Sequence, residues 1–157
     1  MWYFMHACYL FSLLTGLLLG AGFFQSFLKF PLFAGGHVAF MLPVSVVYFF
    51  TETLIIFFFV GTGVSVREYT RDHDLPPVFH QSSIAVKRKV YPPLMLNMLG
   101  MIILLVISGA VDTRRAPGWL YTLFFGFYVA DYVRVKINTN RCFRENTEII
   151  LKMSGVF

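Results

Sequence analysis

Four blocks of apolar residues dominate the chain, each long enough to cross about 30 Å of hydrocarbon as a helix. The first runs from about Trp2 to Phe24 and holds no charged side chain. The second spans about Val38 to Val60 and contains one acid, Glu52. The third runs from about Pro92 to Val111, and the fourth from about Pro117 to Val135, with Asp131 near its end. Trp119 and Tyr121 at one end of the fourth block, with Tyr128 and Tyr132 toward the other, have the placement of interfacial aromatic belts. The apolar residues run on continuously instead of recurring at amphipathic spacing. The pattern therefore predicts an all-α integral membrane protein of four transmembrane helices in one membrane domain over residues 1–157.

Between the blocks, the charges set the orientation. Arg67, Arg71, Lys87, Arg88 and Lys89 lie between the second and third blocks, and Arg134, Lys136, Arg141, Arg144 and Lys152 lie at or after the end of the fourth. Lys29, Arg114 and Arg115 fall on the other side. The positive-inside rule then predicts two hairpins with both termini cytoplasmic, a cytoplasmic loop over 61–91 and a cytoplasmic tail over 136–157. Tyr9 to Gly22 also fits the apolar core of a signal peptide, but no basic stretch precedes it. That difference favours a retained span.

Within the loop, Gly61-Thr62-Gly63 lacks the further glycines and the Lys-Ser/Thr of a phosphate loop, and reads as a helix terminator. Val64 to Asp72 fits a short amphipathic extension. Pro76 and Pro77 break any longer helix, and Pro92-Pro93 is expected to start the third span. The tail from Ile137 to Met153 mixes charged and apolar residues as a short docking helix would.

Composition narrows the class further. At 57% hydrophobic and 13% charged, the chain is too apolar for a soluble domain, where charged residues run near 25%. Its net charge of +5 sits at block ends, not as a stripe among exposed aromatics, so no nucleic-acid surface is expected. Cys8 and Cys142 form neither a redox pair nor a zinc spacing. Cys142 beside Arg141 and Arg144 has the setting of either an acylated thiol or a plain buried one.

Few residues carry candidate chemistry. Gly16 and Gly20 form a GxxxG spacing that would let another helix approach. Glu52 lies about eight residues inside its span, too deep to snorkel, and shares a helical face with Tyr48 and Ser45. Ser12, Cys8, Asn97 and Asp131 fall at a similar depth on the other helices and could meet it. With no second central charge in view, the expectation is a hydrogen-bonding link between helices, with a proton or ion site as the competing reading. Asp131 has Arg134 at i+3, where an ion pair can form. Pro43 predicts a kink in the second helix.

The histidines His6, His37, His73 and His80 do not form a bis-histidine haem pair at one depth. His37 is the one candidate for a single haem or quinone contact, and no metal site is expected. Lys87, Arg88 and Lys89 are placed to attract anionic lipid headgroups.

No nucleophile, base and orienting acid stand in a legible arrangement, so an independent enzyme is not expected. The sequence points to a small non-catalytic subunit of a larger membrane complex, of the energy-converting or oxidoreductase kind, that supplies helix packing, lipid contact and docking. A homo-oligomer is the other assembly considered. The alternative function is a proton-coupled carrier, or a quinone- or haem-binding membrane anchor, that uses Glu52.

Overall fold

The double proline at 92–93 does not begin a helix; it lies in the middle of one. In the computed structural model, residues 2–28 and 36–155 are described, and they form four helices. These are α1 (Trp2–Leu28), α2 (Gly36–Asp72), α3 (Val78–Asp112) and α4 (Gly118–Met153). Lys29, one of the charges used for orientation, lies outside the described residues. Helices α1 and α3 each pack against α2 and α4 and face each other across a diagonal. Neighbours run antiparallel: Phe4 stacks on Phe58 at one end, and the Ser26 and Thr122 hydroxyls meet at 2.9 Å toward the other.

The expected loop over 61–91 is mostly helix. Gly61-Thr62-Gly63 does not terminate α2: the Thr62 hydroxyl donates to the Phe58 carbonyl at 2.8 Å, and the helix runs on to Asp72. It stops at a Schellman motif, where the Asp74 N–H reaches the Arg71 carbonyl (3.4 Å) and the Leu75 N–H reaches the Thr70 carbonyl (3.0 Å). Asp74 takes the left-handed φ of 48° that this closure requires. Pro76 and Pro77 follow, as the sequence predicts for a break, and α3 begins directly after them.

Helix α3 then runs through Pro92 and Pro93 instead of starting there. A proline inside a helix leaves the carbonyl four residues back without its donor. For Pro93 that carbonyl belongs to Lys89, and the Asn138 side-chain amide of α4 donates to it at 3.1 Å. The tail is corrected in the same way: Ile137–Met153 is the continuation of α4, not a separate short helix. Helix α2 also continues through Pro43.

The interior is a continuous seam. Along α3 the buried positions are Ser83, Val86, Val90, Leu94, Asn97, Met101, Leu104 and Ser108, the mixed three- and four-residue spacing of a packed helix face. Along α4 they include Tyr121, Phe125, Tyr128, Tyr132, Val135, Thr139 and Cys142. The outward faces carry Leu, Phe and Val as well, Leu96, Val106, Leu123 and Phe127 among them.

Three helices, over Tyr3–Leu28, His37–Asp72 and Val78–Asp112, are long and apolar enough to cross a membrane. Helix α4, which carries Asp131, Arg134 and Lys136, is not among them. Past the stacked Phe4–Phe58 pair, the part of α2 from 59 to 72 continues for about 21 Å at the helical rise. Together with the start of α3 and the end of α4, it forms a three-helix stalk.

Candidate functional site

Glu52 does not stand alone. Lys136 of α4 donates to its Oε1 at 2.6 Å, and the Glu52 side chain is only 1% exposed. The Lys136 ammonium also lies 5.1 Å from the centre of the Tyr132 ring, one helical turn earlier on the same face, in cation–π reach. Tyr132 donates in turn to the Ser12 carbonyl of α1 at 2.9 Å. On the α1–α2 side, the Thr15 and Thr51 hydroxyls meet at 2.9 Å.

One turn along the bundle, Asn97 links three helices. Tyr48 donates to its Oδ1 at 2.8 Å, and its Nδ2 donates to Asp131 Oδ2 at 2.9 Å. The Tyr128 hydroxyl lies 3.4 Å from the same Oδ1. Asp131 is therefore held by Asn97. The expected pair with Arg134 is not among the ion pairs of the described residues, because the carboxylate turns toward α3.

The structure thus sorts the deep polar residues into two connected sets. Tyr48, Asn97 and Asp131 form one, and Glu52 with Lys136 forms the other. Ser45 belongs to neither, since its hydroxyl donates to the Leu42 carbonyl of its own helix at 2.6 Å.

Lys136 is the residue that the sequence reading missed. As a positive charge after the fourth apolar block, it counted only toward orientation. The available signal was its i+4 spacing from Tyr132, which puts it on the inward face once α4 continues past Val135.

A buried ion pair is strong only when both charges stay matched. Desolvation of each charge is large, and removing one partner leaves the other uncompensated in a low-dielectric interior. Glu52 Oε2 has no hydrogen-bond partner among the described residues, so the pair is carried by Oε1.

Beyond the Tyr48–Asn97–Asp131 set and Ser45, the described interior passes through an apolar layer. Leu19, Met41, Met101, Leu104 and Phe125 are all 0% exposed and come from all four helices. On each helix they fall between the polar residues just described and those at the far end. There His37 bonds through Nε2 to the Tyr121 hydroxyl and meets the Tyr121 ring edge-on.

The remaining candidates are placed as follows. At Gly16 a Cβ would touch the Tyr132 ring at 3.6 Å, whereas at Gly20 it would meet nothing within 4 Å. The close approach in α1 is at Gly22, where Met41, Phe40 and Phe125 lie 3.1–3.3 Å from that position. The GxxxG spacing thus does not mark the tightest contact, because the inward face runs through Gly22 instead of Gly20.

Of the basic triplet, Lys87 lies across Gly63 of α2, where a methyl group would overlap its ammonium. Arg88 is exposed, and Lys89 pairs with Glu145 at 2.8 Å. Cys142 is 1% exposed. His6 is exposed, and His73 stacks on Tyr69 with ring centres 4.0 Å apart. Among the described residues no group of three or more His, Cys, Asp or Glu side chains is arranged to hold a metal ion.

These polar sets can join helices, and the ion pair can hold or exchange a proton. Neither a protein-family model, nor a curated protein, nor a solved structure matches the chain.

Proposed function

We propose that this chain is a multi-pass membrane protein whose four helices are all membrane-embedded, with both termini and the stalk on the cytoplasmic side. It acts as a non-catalytic assembly subunit of a larger membrane complex. The observation that carries this reading is the stalk itself, where helices continue about 21 Å past the Phe4–Phe58 pair and carry exposed Arg67, Arg71, Arg88, Arg141 and Arg144. Orientation follows from the charges, since Arg67, Arg71, Arg88, Arg141, Arg144 and Lys152 all belong to the stalk end and Arg114 and Arg115 to the other.

In this reading, partners inside the bundle for the charges of α4 are what let it join three more apolar helices. Glu52 neutralises Lys136, Asn97 binds Asp131, and the helix enters the bundle with those side chains turned away from lipid. The apolar layer of Leu19, Met41, Met101, Leu104 and Phe125 supports a packing role, because it stands between the two polar sets and the His37–Tyr121 pair at the far end.

Purification from the source membrane in mild detergent, with mass spectrometry of the intact particle, tests the proposal. Stoichiometric co-migration with larger subunits is expected. A chain that travels alone or only with copies of itself would overturn it.

One observation favours a second reading, a proton-coupled carrier or a quinone-binding anchor built on Glu52. Its Oε2 is buried with no partner among the described residues, which leaves an acceptor free for a proton or a ligand. Replacing both charges by methionine separates the two. A packing pair tolerates the change, and a proton site does not.

A further inference from the structure

Between α3 and α4, a groove of about 660 Å³ is walled by Leu96 on one helix and Val133 and Ile137 on the other. Its volume falls in the roughly 300–1,000 Å³ range usual for small-molecule sites. Those three side chains are 67%, 51% and 52% exposed, so the groove opens onto the outer surface of the bundle. Counted from the start of α4 at Gly118, Arg134 lies about 24 Å and Arg141 about 35 Å along the helix. A hydrocarbon layer of about 30 Å that begins at Gly118 therefore ends between the two arginines.

Four polar side chains line the groove, Asp131, Arg134, Asn138 and Arg141. Two of them are engaged elsewhere: Asp131 accepts from Asn97 at 2.9 Å, and Asn138 donates to the Lys89 carbonyl at 3.1 Å. Neither arginine is in an ion pair among the described residues, and Glu145, one turn beyond Arg141, is taken by Lys89 at 2.8 Å. Two guanidiniums against one carboxylate leave the groove positive by one charge. The basic triplet over 87–89 has less to offer, since Lys89 holds Glu145 and Lys87 lies across Gly63.

We propose that this groove binds an anionic phospholipid, its phosphate between the guanidiniums of Arg134 and Arg141 and an acyl chain along Leu96 and Val133. The proposal rests on the reading that α4 is membrane-embedded. The planar guanidinium fork matches phosphate oxygens, and a headgroup of net charge −1 neutralises the excess. A choline lipid brings the same phosphate, but its ammonium extends toward water, on the side of Arg141, and is repelled there. Asp131 lies about 10 Å inside the hydrocarbon edge, too deep to compensate that ammonium.

The test uses the full chain in nanodiscs of choline lipid. Trp2→Phe and Trp119→Phe remove both native tryptophans, and Val133→Trp places one in the exposed groove wall, where brominated acyl chains quench it on contact. Brominated phosphatidylglycerol should quench it at about a fivefold lower mole fraction than brominated phosphatidylcholine with the same chains, the pull of about one basic residue on an anionic lipid. Arg134→Gln with Arg141→Gln should abolish that preference. Arg88→Gln with Arg144→Gln, an equal loss of charge at exposed positions outside the groove, should leave it intact. Native mass spectrometry of the chain without the tryptophan changes, extracted from an equal mixture of the two lipids, should show the glycerol lipid retained. Equal quenching by the two lipids would overturn the proposal with α4 still embedded, and would leave the arginines to the acids of a partner subunit. Quenching by neither would take α4 out of lipid and overturn both readings. A preference that the control pair also abolishes would overturn the site, because it would belong to charge in general and not to this groove.

Discussion

Asn138 of α4 donates to the Lys89 carbonyl of α3 at 3.1 Å, the carbonyl that Pro93 leaves without its helical donor. A side chain on one helix thereby repairs a backbone break in its neighbour, which is how a double proline can stay inside a long helix. Removing the amide by Asn138→Ala is expected to lower stability by about 1 kcal/mol, the net worth of one such bond. In a Pro93→Ala background the same change should cost less, because the backbone N–H regained at position 93 serves that carbonyl. Equilibrium unfolding in mixed micelles, run as a double-mutant cycle, reads the coupling. Equal costs in the two backgrounds would show that the bond does not answer the proline.

Glu52 and Lys136 should behave as a pair. Either Glu52→Met or Lys136→Met alone leaves a buried charge uncompensated, and is expected to cost about 3 kcal/mol. The figure sits at the low end of the range because the Lys136 side chain keeps 16% of its surface exposed. The double replacement, which buries two flexible apolar side chains, should recover most of the loss. Unfolding midpoints of the three variants decide the point, and an additive double variant would contradict pairing.

Asn97 ties three helices, so its loss should exceed that of any one partner. Asn97→Leu strands the Asp131 carboxylate and the Tyr48 hydroxyl, with an expected cost of about 2 kcal/mol or more. Tyr48→Phe removes one bond and leaves Asn97 its other partners, for about 1 kcal/mol. The same unfolding assay ranks them, and a reversed order would remove Asn97 from the centre of the network.

The glycines of α1 should separate sharply. Gly20→Ala places its methyl in open space and gains helix propensity, so it is expected to be neutral or stabilising by up to about 1 kcal/mol. Gly22→Ala pushes a methyl against Met41, Phe40 and Phe125 and is expected to cost about 1–2 kcal/mol. Thermal unfolding of the two variants measures the contrast, and a more damaging change at Gly20 would restore the GxxxG face as the tight contact.

Much of this was legible from the chain, and what was missed has identifiable physical causes. Long unbroken runs of Leu, Phe, Ile and Val announce helices that must sit in lipid or in each other, and four helices are found. Their ends were misread because Gly61, Gly63, Pro92 and Pro93 are strong local breakers that tertiary contacts override. Lys87 fills the space above Gly63, and Asn138 serves the carbonyl below Pro93. The partner of Glu52 was hidden for a related reason. With apolar residues on every face, the period that separates inside from outside is faint, and only the spacing Tyr121, Phe125, Tyr128, Tyr132 and Lys136 traces the inward face of α4.

The most direct test of the account purifies the proposed complex from the native membrane with four versions of this chain: unsubstituted, Glu52→Met, Lys136→Met and the double replacement. Incorporation into the larger particle is read by native mass spectrometry. If the pair is a structural lock within an assembly subunit, the unsubstituted and double-replaced chains should both be incorporated stoichiometrically, and each single replacement should be depleted. A double-replaced chain that folds and assembles while the particle loses its proton-coupled or electron-transfer activity would contradict that account, and would give Glu52 the proton instead.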